Sequence, residues 1–139
     1  MSPYVLKVSL ATALVIVALV SFLSMMSLQG RLDRKGDPAK LRRIHRRAGL
    51  VFVLLLVPLV FLGERFIKEM ADGLSVRATF HFVLALGLVS LLLLKVLIVR
   101  FFRGYLKIAS GIGMTLFVLL LVIYLITAGF VFLNGFPAT

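Results

Sequence analysis

The chain has 139 residues and no cysteine. That absence excludes a disulfide scaffold, a thiolate zinc site, a cysteine-ligated iron–sulfur cluster and covalent haem attachment through C-x-x-C-H. Acidic residues are also scarce: five Asp and Glu stand against sixteen Lys and Arg, and none of the five lies inside an apolar run. Proton and cation transporters normally carry carboxylates within the membrane, so a transporter or channel is disfavoured. No carboxylate pair, Ser/His/Asp set or histidine pair at helical spacing is visible. A hydrolase or a zinc enzyme is therefore without support, and the chain reads more readily as a subunit than as an enzyme by itself. Charged residues are 15% of the chain and hydrophobic residues 62%, against about 25% and about 45–50% in an ordinary soluble domain. With a mean hydropathy of +1.15, the composition is that of a membrane protein and excludes disorder.

What the chain has instead is long apolar runs. A spanning helix needs roughly 20 mostly apolar residues. Four stretches approach this, at about residues 8–28, 48–63, 78–99 and 108–133. The second, Ala48 to Gly63, covers only ~24 Å of a ~30 Å hydrocarbon core. Arg46, Arg47 and Arg65 flank it and can lay their stems along apolar surface while their heads reach water. Runs such as Val51–Val57 and Val89–Leu94 do not alternate in polarity, so helices rather than barrel strands are expected. Pro3 suits the start of the first helix. Asp37-Pro38 reads as a cap followed by a first-turn proline, so the second helix is expected to begin near Pro38. Pro58 should kink it, and it could continue to about Asp72 with Gly73 as its stop. The expected fold is all-α: one integral membrane four-helix bundle, up-down-up-down, with both termini outside.

Charge sets that orientation. Segments 29–47 and 100–107, with Lys95, carry twelve basic residues against Asp33 and Asp37. The opposite side carries Lys7, Arg65, Lys68 and Arg77 against Glu64, Glu69 and Asp72. The positive-inside rule places both basic connections in the cytoplasm, for a protein of the cell (inner) membrane. The N-terminal run lacks a small-x-small cleavage site and reads as an uncleaved span. No nucleic-acid motif accompanies the basic charge, so the bilayer's anionic headgroups are its expected partner. A docking surface for an acidic soluble protein is compatible with that role.

A weak repeat sets Leu41–Val57 beside Leu106–Val122 at an offset of 65, pairing Phe52 with Phe117 and the leucines 54–56 with 119–121. Each copy would be one hairpin of a span, a basic connection and a span. Neither histidine is duplicated, since His45 falls on Ser110 and His81 on Ile16. Ala11 with Ala18, Gly87 with Ser90, and Gly111 with Thr115 are small residues that let helices approach closely in lipid.

Polar residues within spans are functional candidates by default, and here they are few: His45, His81, Lys95, Arg77 and Arg100, with a set of methionines. Imidazole is a common axial ligand of haem iron. His81 follows Arg77 by four residues, which puts both on one helix face and suits an iron ligand beside a propionate-binding cation. His45 lies within Arg42-Arg43-Ile44-His45-Arg46-Arg47 and has cations beside it too. The alternatives are an interfacial polar residue for His45, a hydrogen bond to a neighbouring carbonyl for His81, and snorkelling for Lys95. The two histidines begin consecutive antiparallel helices, so they are expected on opposite faces, about a bilayer core (~30 Å) apart and unable to share one iron. Met25 or Met26, with Met114 a further choice, would supply a sixth ligand.

His45-Arg46-Arg47-Ala48-Gly49 opening one span, then Arg77-x-x-x-His81 and Lys95-x-x-x-x-Arg100, resemble the small four-helix b-type membrane cytochromes. The likeness covers about residues 41–132. It implies haem b held by histidines of adjacent helices, and electron transfer between a quinone pool and other redox proteins. It further implies His81 as an axial ligand, Arg77 as a propionate partner, and His45 as a second ligand or propionate partner. The chain departs from the pattern where a partner for His81 is expected: Val57–Gly63 offers Pro58 and Phe61 but no histidine. The ligand would then come from another subunit, or the haem would have been lost. Two functions are therefore expected. One is a membrane-embedded electron-transfer subunit within a larger respiratory complex; the other is a non-catalytic accessory or anchor subunit that stabilises its partners through helix packing.

Overall fold

A computed structural model of the protein describes residues 3–32, 36–69, 73 and 75–135. Asp33, Arg34, Lys35 and Asp72, counted above in the charge balance, lie outside the described residues. Among the described residues the fold is all-helical, with no strand. Helix α1 spans Pro3–Leu28, α2 Pro38–Glu69, α3 Val76–Phe101 and α4 Leu106–Tyr124. A 3₁₀ turn, Arg103–Tyr105, joins α3 to α4; a π-helical turn, Leu125–Gly129, leads on to α5, Phe130–Asn134. Four helical segments are long and apolar enough to cross a membrane: Tyr4–Leu28, Pro38–Lys68, Val76–Phe101 and Arg103–Asn134.

The helix ends follow from local chemistry. Asp37 caps α2, its Oδ1 accepting the Ala39 N–H at 3.0 Å, as the Asp-Pro pair implies. Ser75 caps α3 by accepting the Ala78 N–H at 3.2 Å. At the end of α1, Gly30 takes φ 68°, the left-handed conformation that glycine adopts without strain. The Arg31 N–H then reaches the Met26 carbonyl at 3.1 Å and the Gly30 N–H the Ser27 carbonyl at 3.2 Å, a Schellman stop that satisfies two otherwise orphaned acceptors. Helix α2 is helical to Glu69; its expected continuation to about Asp72, on which the stop at Gly73 depends, falls at residues 70–72, outside the described residues. The short second span is resolved by length: α2 has 32 residues, ~48 Å, continues through Pro58, and carries its polar ends beyond its apolar centre.

The chain divides into two compact units, residues 1–66 and 67–139. The boundary lies within a residue of the repeat's offset. In the first unit Lys7, early in α1, lies over the Phe66 ring late in α2 at 4.9 Å, while Ser21, late in α1, meets His45, early in α2. The helices are therefore antiparallel. In the second unit Arg77 at the start of α3 lies over the Phe130 ring at 3.5 Å; a Cβ on Gly87 would meet Leu119 at 3.9 Å, and one on Gly113 would meet Lys95. That ladder of pairs is again antiparallel.

Side-chain placement agrees with lipid as solvent. Leu54 and Phe61 of α2 are each 63% exposed, an arrangement that would cost a water-soluble domain much of its hydrophobic stabilisation. Hydroxyls within the spans are satisfied locally: Thr12, Ser90, Thr115 and Thr127 donate to the carbonyls four residues earlier at 2.8–3.1 Å. Such back-bonding removes their polarity from the lipid face. On α4 the buried side is Ala109, Leu116, Leu120 and Ile123, and it resumes at Ala128 and Val131. The π turn accounts for the five-residue step: one extra residue rotates everything after it by ~100° relative to an uninterrupted helix. That shift helps to set Phe130 opposite Arg77.

Candidate histidine sites

His45 occupies the third turn of α2 and is half-buried. Its Nδ1 lies 3.0 Å from the backbone carbonyl oxygen of Ser21 on α1. A carbonyl only accepts, so Nδ1 carries the hydrogen and donates it, and the ring's lone pair resides on Nε2. Ser21 Oγ stands 3.2 Å and Ser24 Oγ 3.5 Å from the same Nδ1. Ser24 is buried, and its hydroxyl donates to the same Ser21 carbonyl at 2.8 Å. One carbonyl thus receives both the imidazole and a hydroxyl. A ring whose Nδ1–H is held by a carbonyl has its tautomer and orientation fixed, which is the usual support of a metal-ligating histidine. Arg42, Arg43, Arg46 and Arg47 around it are exposed. Met25, one helical turn beyond Ser21 on α1, is half-buried in the same unit, as is Met26; Met114 is half-buried in the second unit.

His81 lies in the second turn of α3, also half-buried, but its Nδ1 is buried without a hydrogen-bond partner. The neighbouring carbonyl considered as its partner is therefore absent for this nitrogen among the described residues. An orphaned buried donor or acceptor costs about 1–3 kcal/mol, and such a group calls for a specific explanation. Arg77, one turn earlier, places its guanidinium over Phe130, a cation–π contact that spends its cationic face on an aromatic ring. Lys95 is half-buried and lies against Gly113 of α4, where an added Cβ would stand 2.8 Å from Nζ.

The two histidines fall in different units, each with its own surroundings. Among the described residues no group of three or more His, Cys, Asp or Glu is assembled. Both imidazoles are legible in the sequence, but what holds His45 is not: the only signal for Ser21 and Ser24 is a pair of serines at a three-residue spacing on the preceding helix. The Arg77–Phe130 contact depends on the π turn, which has no clear signature in the sequence.

Fold and composition together define an all-helical chain with four candidate membrane-spanning segments and one carbonyl-anchored histidine in its first helical pair. It belongs to a family of unknown function, DUF6529, whose model matches residues 1–138. No curated protein and no solved structure matches the chain.

Proposed function

We propose that the protein is a membrane-embedded electron-transfer subunit that binds haem b through His45. The single observation that carries this reading is the 3.0 Å contact of His45 Nδ1 with the Ser21 carbonyl, the kind of second contact that fixes the tautomer and orientation of a metal-ligating imidazole. Haem iron, when bound, supplies a reversible one-electron couple. The chain's own residues do the rest. Ser21 and Ser24 orient the ring, the arginines at 42, 43, 46 and 47 would offer cations for the propionates, and Met25 would be a further residue holding the haem. His81 with Arg77 is the second candidate; the guanidinium already stacked on Phe130 counts against Arg77 as a propionate partner.

In this reading the four spans form one up-down-up-down bundle of the inner membrane. Both termini lie outside, and the basic segments 29–47 and 100–107 lie in the cytoplasm. Partners are the bilayer and other redox subunits, with a quinone as electron donor or acceptor. The experiment is a reduced-minus-oxidised spectrum of the purified chain, expected to show Soret and α-band differences. Colourless protein at full stoichiometry contradicts electron transfer and leaves the accessory-subunit role. The native absence of cysteine makes the topology separately testable. A single cysteine at Lys40 should resist impermeant thiol reagents in intact cells, whereas one at Gly73 should react; the reverse pattern contradicts the orientation.

A further inference from the structure

After Asp72 the chain contains no Asp or Glu. The second unit nevertheless places Lys95 within α3, and Arg100, Arg103 and Lys107 around the turn to α4. Lys95 is half-buried, and its Nζ reaches across the hairpin to Gly113 rather than lying along its own helix. The missing side chain at 113 is what makes room for it. The α3 helix has 26 residues, ~39 Å against a hydrocarbon core of ~30 Å, so each end clears the core by a few ångströms. Lys95 stands six residues before Phe101, ~9 Å inside the helix end, which puts its Cα a few ångströms below the boundary between acyl chains and headgroups. A cation at that depth is costly unless an anion meets it, and the hairpin has no carboxylate to provide one. Above it, Arg100, Arg103 and Lys107 are exposed. Phe101 and Tyr105 are 75% and 59% exposed, as aromatic side chains are at a membrane interface.

We propose that the α3–α4 turn binds the phosphate of an anionic phospholipid. The Lys95 amine meets the phosphate from the membrane side, and Arg100, Arg103 and Lys107 meet it from the water side. Phe101 and Tyr105 pack against the glycerol and upper acyl chain. A lipid fits better than an acidic protein segment because Lys95 lies below the level a soluble partner reaches. It fits better than free phosphate because the exposed rings need apolar cover. The site lies wholly in the second unit and does not depend on haem.

The test uses the full chain in neutral detergent, titrated separately with phosphatidylglycerol, phosphatidylcholine and inorganic phosphate. Binding is followed by native mass spectrometry and by melting temperature. Phosphatidylglycerol should bind and raise the melting temperature, while the other two leave it unchanged. Lys95→Met should weaken phosphatidylglycerol binding about fivefold, the equivalent of ~1 kcal/mol per basic residue at an anionic leaflet. Arg103→Gln, on the exposed turn, should do the same without disturbing packing, and Lys95→Arg should retain binding. Lys40→Gln removes an equal charge from the first unit and should leave binding within twofold. Equal binding of phosphatidylcholine, equal protection by inorganic phosphate, or an equal loss in Lys40→Gln would overturn the proposal.

Discussion

The two helical hairpins each carry one histidine near the start of a helix, and they treat it in opposite ways. In the first hairpin the neighbouring helix presents a backbone carbonyl and two serine hydroxyls to the His45 ring. In the second, the His81 Nδ1 is buried with no partner, and the adjacent cation is turned onto an aromatic ring. The residue type is the same; its surroundings decide what it can do. A carbonyl-held Nδ1–H fixes the tautomer of His45, whereas the buried His81 Nδ1 has no hydrogen bond to offset its desolvation. The Ser21 carbonyl contact is the reason the proposed haem site is placed at His45, while the sequence alone favours His81 through its Arg77 neighbour.

Stability measurements can break or sharpen this contrast. The largest effect is expected at His81. Replacing a half-buried ring whose buried Nδ1 is unsatisfied by an apolar side chain of similar reach, His81→Leu, should stabilise the protein by about 1–3 kcal/mol, read as a higher melting temperature in detergent. A lower one would mean that the ring has a partner in the folded protein and that the contrast is false. Next is Arg77→Ala, which removes the guanidinium from Phe130 and should cost about 0.5–1 kcal/mol. An unchanged melting temperature would show that the contact contributes nothing. The smallest effect is expected at Ser24, whose hydroxyl shares the Ser21 carbonyl with His45. Ser24→Ala should destabilise by about 0.6 kcal/mol, the usual scale of a hydrogen bond between polar groups in a membrane protein. A loss several times larger would make Ser24 a principal support of the ring.

Much of the fold was legible in the sequence because lipid imposes a simple rule: apolar runs of sufficient length become helices. All four runs lie within helices, and the Asp37-Pro38 start of α2 is in place. Helix extents were less legible. The apolar pattern ends at the hydrocarbon boundary, whereas the backbone ladder continues into water, so Pro38–Glu69 is twice the apolar stretch it contains. The caps at Ser75 and Gly30 and the π turn at Leu125–Gly129 depend on one or two residues each and have no periodic signature. At the site, residue identity was legible and environment was not. His45 and His81 stood out as rare polar residues, but hydrogen-bond partners 24 positions away on another helix are fixed by packing register. Lys95 is similar: its charge is plain in the sequence, while its seat against Gly113 belongs to the pairing of α3 with α4.

The most direct test of the central claim is the reduced-minus-oxidised spectrum of two single variants, His45→Ala and His81→Ala, each purified with the wild-type chain under haem-replete expression. Loss of the α-band in His45→Ala with retention in His81→Ala is the predicted result. Retention in His45→Ala with loss in His81→Ala would contradict it and return the haem to the second hairpin.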